Sequence, residues 1–269
     1  MPAHLIDQAT ALCVEVFRLA VWLVLLAAIF VPIERLFGLR PARIMRAGIG
    51  ADLGYYFLNS LLPGVVLGLP LAFLATAAHR LLPASFLETV AAAPLLLRVA
   101  AGLVVGEIGA YWAHRWSHEI PFLWRFHEVH HAPDHIDWLV NTRTHPVDMV
   151  FTRLCALAPI YALGLAGQPG LEGSAVPAIT LIVAAIWGFF IHANLRWRFG
   201  PLEWLIATPA FHHWHHTLEG PINHNYAPTL PWMDKLFGTY HLPRDRWPGQ
   251  YGVLPPEQPA RPGSTLPDQ

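Results

Sequence analysis

The chain is short of charge. Only 13% of its 269 residues are Asp, Glu, Lys or Arg, against about 25% in an ordinary soluble domain. Lysine occurs once, as Lys235, against sixteen arginines, a bias of base composition rather than a functional signal. No basic tail accompanies the formal net charge of -1, so nucleic-acid binding has no support. The two cysteines, Cys13 and Cys155, lie far apart in apolar runs. That placement excludes a disulfide framework and a thiolate metal site and suits two small buried hydrophobes. The start, "MPAHLIDQAT", lacks a positively charged region ahead of its apolar run, and no signal peptide is expected.

Hydrophobic residues, by contrast, make up 54% of the chain. A spanning helix needs about 20 mostly apolar residues, and five stretches approach that: Val14–Ile33, Leu53–Ala78, Ala91–Ala113, Val150–Ala166 and Ala175–Ile191. The last two are joined by "GQPGLEG" and read as a hairpin. The fold class expected is all-α, a polytopic membrane protein of about four to five segments with a cytoplasmic His-rich helical cap. Arginines concentrate in Glu34–Ala47, in Arg115–Thr144 and after the fifth segment. Placing all three regions in the cytosol puts the N-terminus outside and the C-terminus inside. Residues 248–269, rich in proline and glycine, read as a disordered tail.

The sixteen histidines are unevenly placed. His114 and His118 in "HRWSH" stand i, i+4. His127, His130 and His131 in "HEVHH" stand i, i+3, i+4, and His212, His215 and His216 in "HHWHH" repeat that spacing. On a helix these spacings bring imidazoles to one face, a turn apart, within reach of one metal ion. In "FHHWHH" the angular step of about 100° per residue sets His215 and His216 about 60° and 40° to either side of His212, and His213 about 100° away. His213 is therefore expected to be no ligand. Every cluster falls on one side of the expected membrane, and His192 in "FFIHAN" reaches the same level. Clustered polar groups at membrane depth are costly and mark function. Neutral imidazoles suit zinc, copper, iron or nickel. Eight are too many for one tetrahedral ion, so two metals are expected.

Two other classes compete. A metal transporter would hold its ligands near the bilayer midplane, whereas these gather at one end. A zinc-dependent membrane hydrolase is suggested by "HEVHH", which contains HExxH. The repeat of HxxHH at the third cluster, without the glutamate, makes the repeat the better description.

HxxxH, HxxHH and HxxHH in this order on a small polytopic membrane protein resemble the fatty acid hydroxylase superfamily, which includes sterol desaturases, sphingolipid hydroxylases and carotenoid hydroxylases. "EIGAYWAHRWSH", "PFLWRFHEVHH", "TRTHPVD", "HANLRW", "TPAFHHWHHT", "NHNYAP" and "DKLFGTYHLP" carry the resemblance, from about Glu107 to Pro243. It implies a non-haem diiron site that uses O2 as co-substrate to hydroxylate a lipid C–H bond, or to desaturate it. The implied ligands are His114, His118, His127, His130, His131, His212, His215 and His216, with His192 as the extra histidine and His145 in "RTHP" as a further candidate. The chain departs from the family at Asn225-Tyr226-Ala227, at Met233-Asp234 and at Arg196, where some hydroxylases complete an HxxxH with His192. Asn194 is the candidate to hold a water on the metal instead. Glu107, seven residues before His114 and on the same helix face, is the leading outer-shell carboxylate; Asp134, Asp137, Asp148, Glu203 and Asp234 are weaker ones. Trp112, Trp116, Trp124 and Trp138 suit either a substrate wall or an interfacial aromatic belt, and for most of them the belt is the better reading.

Residues 1–247 read as a single membrane-embedded oxygenase domain, with the histidine boxes in 107–243. The sequence carries no GxGxxG after a strand, no CxxC pattern and no haem-binding motif. An external electron donor is implied: a separate ferredoxin, cytochrome or reductase. The substrate expected is a membrane lipid, and the location a bacterial inner membrane.

Overall fold

The computed structural model describes residues 3–41, 43–167, 175–219 and 221–253. Ten α-helices follow in chain order: α1 Ala3–Phe37, α2 Ile49–Val66, α3 Gly68–Leu81, α4 Ala84–Ala92, α5 Leu95–Glu119, α6 Pro121–His131, α7 Pro146–Ala162, α8 Ala175–His192, α9 Pro209–His215 and α10 Trp232–Leu236. Two 3-10 turns, Trp138–Thr142 and Gly200–Trp204, lie between them. Among the described residues there is no strand, only the isolated bridges Gly38 with Leu195 and Thr217 with Tyr251.

Prolines set many of the boundaries. α6, α7 and α9 carry proline in their first turn, where its missing N–H is no loss and its fixed φ suits the helix. The residue before proline disfavours helical backbone. Ile120, ahead of Pro121, accordingly adopts φ -100° and ψ 114° and reverses the chain between the first two histidine pairs. Pro70 acts differently. Its ring meets the carbonyl four residues earlier, at Val66, and the expected segment Leu53–Ala78 is split there into α2 and α3, bent by 42°.

Among the described residues, three helices are long and apolar enough to cross a membrane, over Ile6–Phe37, Leu95–Glu119 and Ala175–His192. The bent α2–α3 pair makes a fourth if it is one span. The fourth expected segment, Val150–Ala166, corresponds to α7. It is 17 residues long and carries Asp148 and Arg153, so length and composition do not make it a span. The chain is nonetheless an integral membrane protein by its apolar helices. Their outward faces carry Phe17, Leu69, Phe73 and Leu96, each more than 70% exposed, a surface suited to lipid and not to water.

α5 is the central element. It packs on α7 and α8 across a stripe of small residues. Gly106 lies against the Ala156 carbonyl, and a Cβ on Gly109 would stand 2.0 Å from the Cys155 carbonyl oxygen. The core beside it is Leu157, Ile160, Val176, Val99 and Leu67. A second core joins α1 to the Trp138–Thr142 turn through Phe30, Trp138 and Phe189. Phe30 and Trp138 stack at 5.9 Å and 9°. Trp138 is thus a core residue and not part of a belt. The end of α1, the start of α2, the ends of α5 and α8 and all of α6 and α9 meet at one end of the bundle.

The turn at 168–174 and the tail beyond 253 fall outside the described residues. The structured part runs past the expected boundary at 247: the Leu218 amide donates to the Gln250 carbonyl at 3.0 Å, and Tyr251 is buried.

Candidate metal centre

The structure brings nine of the ten candidate histidines into two groups: His114, His118, His127, His131 and His215, and His130, His192, His212 and His216. Within each group one nitrogen from every ring lies within 4.8 Å of the others. The neighbours His130 and His131 are divided between the groups, as are His215 and His216. Adjacent positions on a helix diverge by about 100°, so one short helix serves two sites side by side.

The tautomers follow from what the outer nitrogens touch. Nδ1–H of His114 donates to the Tyr226 carbonyl at 2.7 Å, and that of His215 to the His224 carbonyl at 2.8 Å. His130 donates to the Arg143 carbonyl at 3.0 Å and His192 to the Gly188 carbonyl at 2.7 Å. His118 meets the Asn223 side-chain oxygen at 3.2 Å, and His127 meets Asp148 at 2.9 Å. A neutral imidazole has one N–H. Spending it outward leaves Nε2 as a bare lone pair pointing inward.

Those inward nitrogens face one another. Nε2 to Nε2 separations are 3.1 Å for His130–His192, 2.9 Å for His192–His212, 3.1 Å for His212–His216 and 3.1 Å for His131–His215. The buried Nε2 atoms of His118 and His127 have no partner. In the His130–His192 pair both N–H groups are spent outward; two lone pairs at hydrogen-bond distance with no proton between them are satisfied by a cation, and outward acceptors are the usual device for orienting metal-bound imidazoles. Burial pushes His130 down to about 4, with His127 acting in the same direction. It holds His131, His212, His215 and His216 well below the usual imidazole range, neighbouring histidines adding to it. The rings are therefore neutral and available as ligands at neutral pH. The donor set fits two metal ions.

Four expectations need correction. His145 is in neither group; it caps α7, accepting the Val147 amide at 3.2 Å, and packs on Phe126. Asn194 faces away from the rings: its amide donates to the Arg40 carbonyl at 2.7 Å and accepts the Arg40 amide at 3.1 Å. Both hydrogen-bonding ends of this buried side chain are thereby used on the α1–α2 connection. Glu107 touches no histidine nitrogen; it accepts the Thr229 and Leu230 amides at 2.8 and 2.7 Å. Of the carboxylates ranked below it, Asp148 is the one that holds a ring, while Ser117 donates to its other oxygen at 3.0 Å. Asp137 and Glu203 pair with Arg46 and Arg198, and Asp134 with His135.

His213, expected to be no ligand, belongs to neither group and is buried rather than at the surface. The "HExxH" reading fails on placement: His127 and His130 lie in different groups, and Glu128 in neither.

The loop after α9 was missed as part of the site. Asn225, at φ 60°, donates to the Phe211 and His241 carbonyls at 2.9 and 2.6 Å. Asp234 accepts the Tyr226 and Ala227 amides at 2.7 and 2.9 Å. With Glu107 these residues fix the loop whose carbonyls at Tyr226 and His224 orient His114 and His215. The motif "NHNYAP" was the available signal.

Comparison with known proteins agrees with this geometry. The fatty acid hydroxylase profile matches residues 99–239, just over half of the chain. An ornithine lipid hydroxylase, OlsE, of Rhizobium tropici is 38% identical over 156 residues, 56% of this chain and 44% of that protein. The human alkylglycerol monooxygenase is 31% identical over 142 residues, 52% of this chain and 30% of that one. A putative Delta(7)-sterol-C5(6)-desaturase of Arabidopsis thaliana is 29% identical over 151 residues, 55% and 49% of the two chains. The matched stretch thus spans less than half the length of each of these relatives. No solved structure matches the chain. The matched region contains every histidine of the two groups, and the chain belongs to the fatty acid hydroxylase family, a family of metalloenzymes.

Proposed function

We propose that this protein is a membrane-bound, O2-dependent oxidoreductase that hydroxylates a C–H bond of a membrane lipid. In this reading the two histidine groups hold two iron ions. The carrying observation is the pair of converging nitrogen sets, nine imidazoles of which six spend their outward N–H on protein acceptors. Reduced iron at such a site supplies the activation of dioxygen, and a hydroxylation balances as one O2, two electrons and two protons consumed and one water released.

The chain's own residues supply position and dryness. Asp148 and the Tyr226, Arg143, Gly188 and His224 carbonyls hold the rings. Tyr111 and Tyr226, both fully buried, close the side of α5 against water. An apolar groove of about 580 Å³, lined by Leu74, Ile108, Trp112, Trp116, Cys155 and Pro159 and by none of the clustered histidines, runs along the face of α5 opposite His114 and His118. Electrons come from a separate redox partner in this reading. α7, though short, returns the chain antiparallel to α5, and with it counted as a crossing the arginine distribution favours the histidines and C-terminus in the cytosol; the membrane proposed is a bacterial inner membrane.

A desaturase is the second reading, favoured by the similarity to a sterol desaturase. Purification under anaerobic, reducing conditions with metal analysis tests the site: two irons per chain is the expected result, and one zinc without iron overturns it. Incubation with 18O2, a reducing system and a membrane lipid extract then separates the readings. Label in a lipid hydroxyl supports hydroxylation, and an unlabelled alkene supports desaturation.

A further inference from the structure

A cavity of about 670 Å³ between α1 and α2 is lined by none of the nine clustered histidines. Its walls deep in the bundle are apolar: Leu23, Val24, Ala27 and Val31 on α1, Ile49 and Leu53 on α2. From Leu23 to Arg35 the helix rises about 18 Å, long enough to lie along much of an acyl chain. The mouth is basic, lined by Arg35, Arg40, Arg43, Arg46 and Arg196.

Two of these arginines are engaged. Arg46 pairs with Asp137 and, at 2.7 Å, with Asp52. Arg40 donates to the Pro248 carbonyl and stands 4.5 Å from the Tyr251 ring centre. Arg35, Arg43 and Arg196 are exposed and form no ion pair among the described residues. Of the acids at the mouth, Glu34 turns Oε1 to the Trp138 and Asn194 amides, both at 2.8 Å, and pairs with none of the three, and Asp137 is held by Arg46.

Three uncompensated guanidinium groups thus stand over an apolar trough on a membrane helix. A small anion would leave the trough unfilled, and a neutral lipid would leave the arginines unpaired. An anionic amphiphile satisfies both, since guanidinium pairs with phosphate in bidentate geometry. We propose that this cavity binds an anionic phospholipid, its phosphate on Arg35, Arg43 and Arg196 and an acyl chain along α1.

The test uses the full chain in detergent. Fluorescent phosphatidylglycerol and phosphatidylcholine with identical acyl chains are titrated, with glycerol phosphate as a soluble competitor. Phosphatidylglycerol should bind at least about tenfold more tightly. The double variant R43A/R196A should lower that ratio by up to about 30-fold, the size expected of two arginines near a membrane surface, while leaving the phosphatidylcholine affinity unchanged. Val24→Trp should weaken both lipids alike by filling the trough. Melting temperatures equal to the parent's check that both variants fold. Equal affinity for the two lipids in the parent, or an unchanged ratio in R43A/R196A, overturns the proposal. Displacement by glycerol phosphate at the concentration at which phosphatidylglycerol itself competes would make this a free-anion site and overturn it as well.

Discussion

His213 presents its Nε2–H to the Ala193 carbonyl at 3.1 Å, and its Nδ1 accepts the Tyr251 hydroxyl at 3.0 Å. The six grouped rings with an outward acceptor carry the opposite tautomer, so the proton position as well as the helix face separates His213 from its neighbours. His212→Ala should lose the second group's metal and abolish activity. His213→Gln should keep metal and lose roughly 1–3 kcal/mol of stability from the broken buried bonds, read from iron content and thermal melting side by side. Equal metal loss in the two variants would overturn the assignment. The pH dependence follows with its sign. Burial holds His213 down to about 3 in the fold, against about 6.5 in the unfolded chain. The unfolded state therefore binds the extra proton below about 6.5, and stability falls by about 1.4 kcal/mol per pH unit as pH drops from there towards 3. His213→Gln should remove that one-proton slope from the acid limb of a melting-temperature profile. At this scale the histidine spacing was legible because helical periodicity is written in the sequence. The acceptors behind the rings were not: four of the six are main-chain carbonyls, which any residue type supplies. Asp148 lies 21 residues from His127, and Glu107, with the better helical register, is turned to the Thr229–Leu230 amides instead.

At the scale of elements, the close approach of α5 to α7 brings Ser117 onto Asp148, which holds His127. Gly109 permits it, and any side chain there must displace the Cys155 carbonyl. Gly109→Val should destabilise the protein by several kcal/mol, as overpacking against backbone does. Gly64→Ala is the control: nothing lies within 4 Å of its added Cβ, and in a helix the change should be neutral or stabilising by up to about 1 kcal/mol. Thermal melting of both variants in the same detergent decides; a Gly109→Val protein that melts with the parent would remove the glycine contact from this account. The helix starts at Pro121, Pro146 and Pro209 were readable, since proline acts locally. The break at Pro70 was masked by the unbroken hydrophobicity on either side of it. The expected segment Val150–Ala166 has the length of α7 but lies four residues late, because apolar residues continue past the helix end, through Leu163, Leu165 and Ala166, where the chain turns.

At the scale of the molecule, nine imidazoles converge on two small volumes, and the fold must hold them there. A bound cation stabilises such a fold by mass action. Chelation under reducing conditions should lower the melting temperature by several degrees, and ferrous ion should restore it; an unchanged melting temperature would mean that the groups tolerate their own repulsion. The division of the histidines also has an order in time. His114, His118, His127 and His131, four of the five nitrogens of the first group, lie within one stretch of 18 residues, whereas the second group has only His130 before α8. On a ribosome the first pocket is nearly complete while the second is still three residues short. His212, His215 and His216 emerge last, on one helix, and that helix finishes both. The acceptors behind His114 and His118, at Tyr226 and Asn223, nevertheless follow α9, so a nascent protein stalled before Pro209 would carry four ligands of the first site with two of their rings unheld.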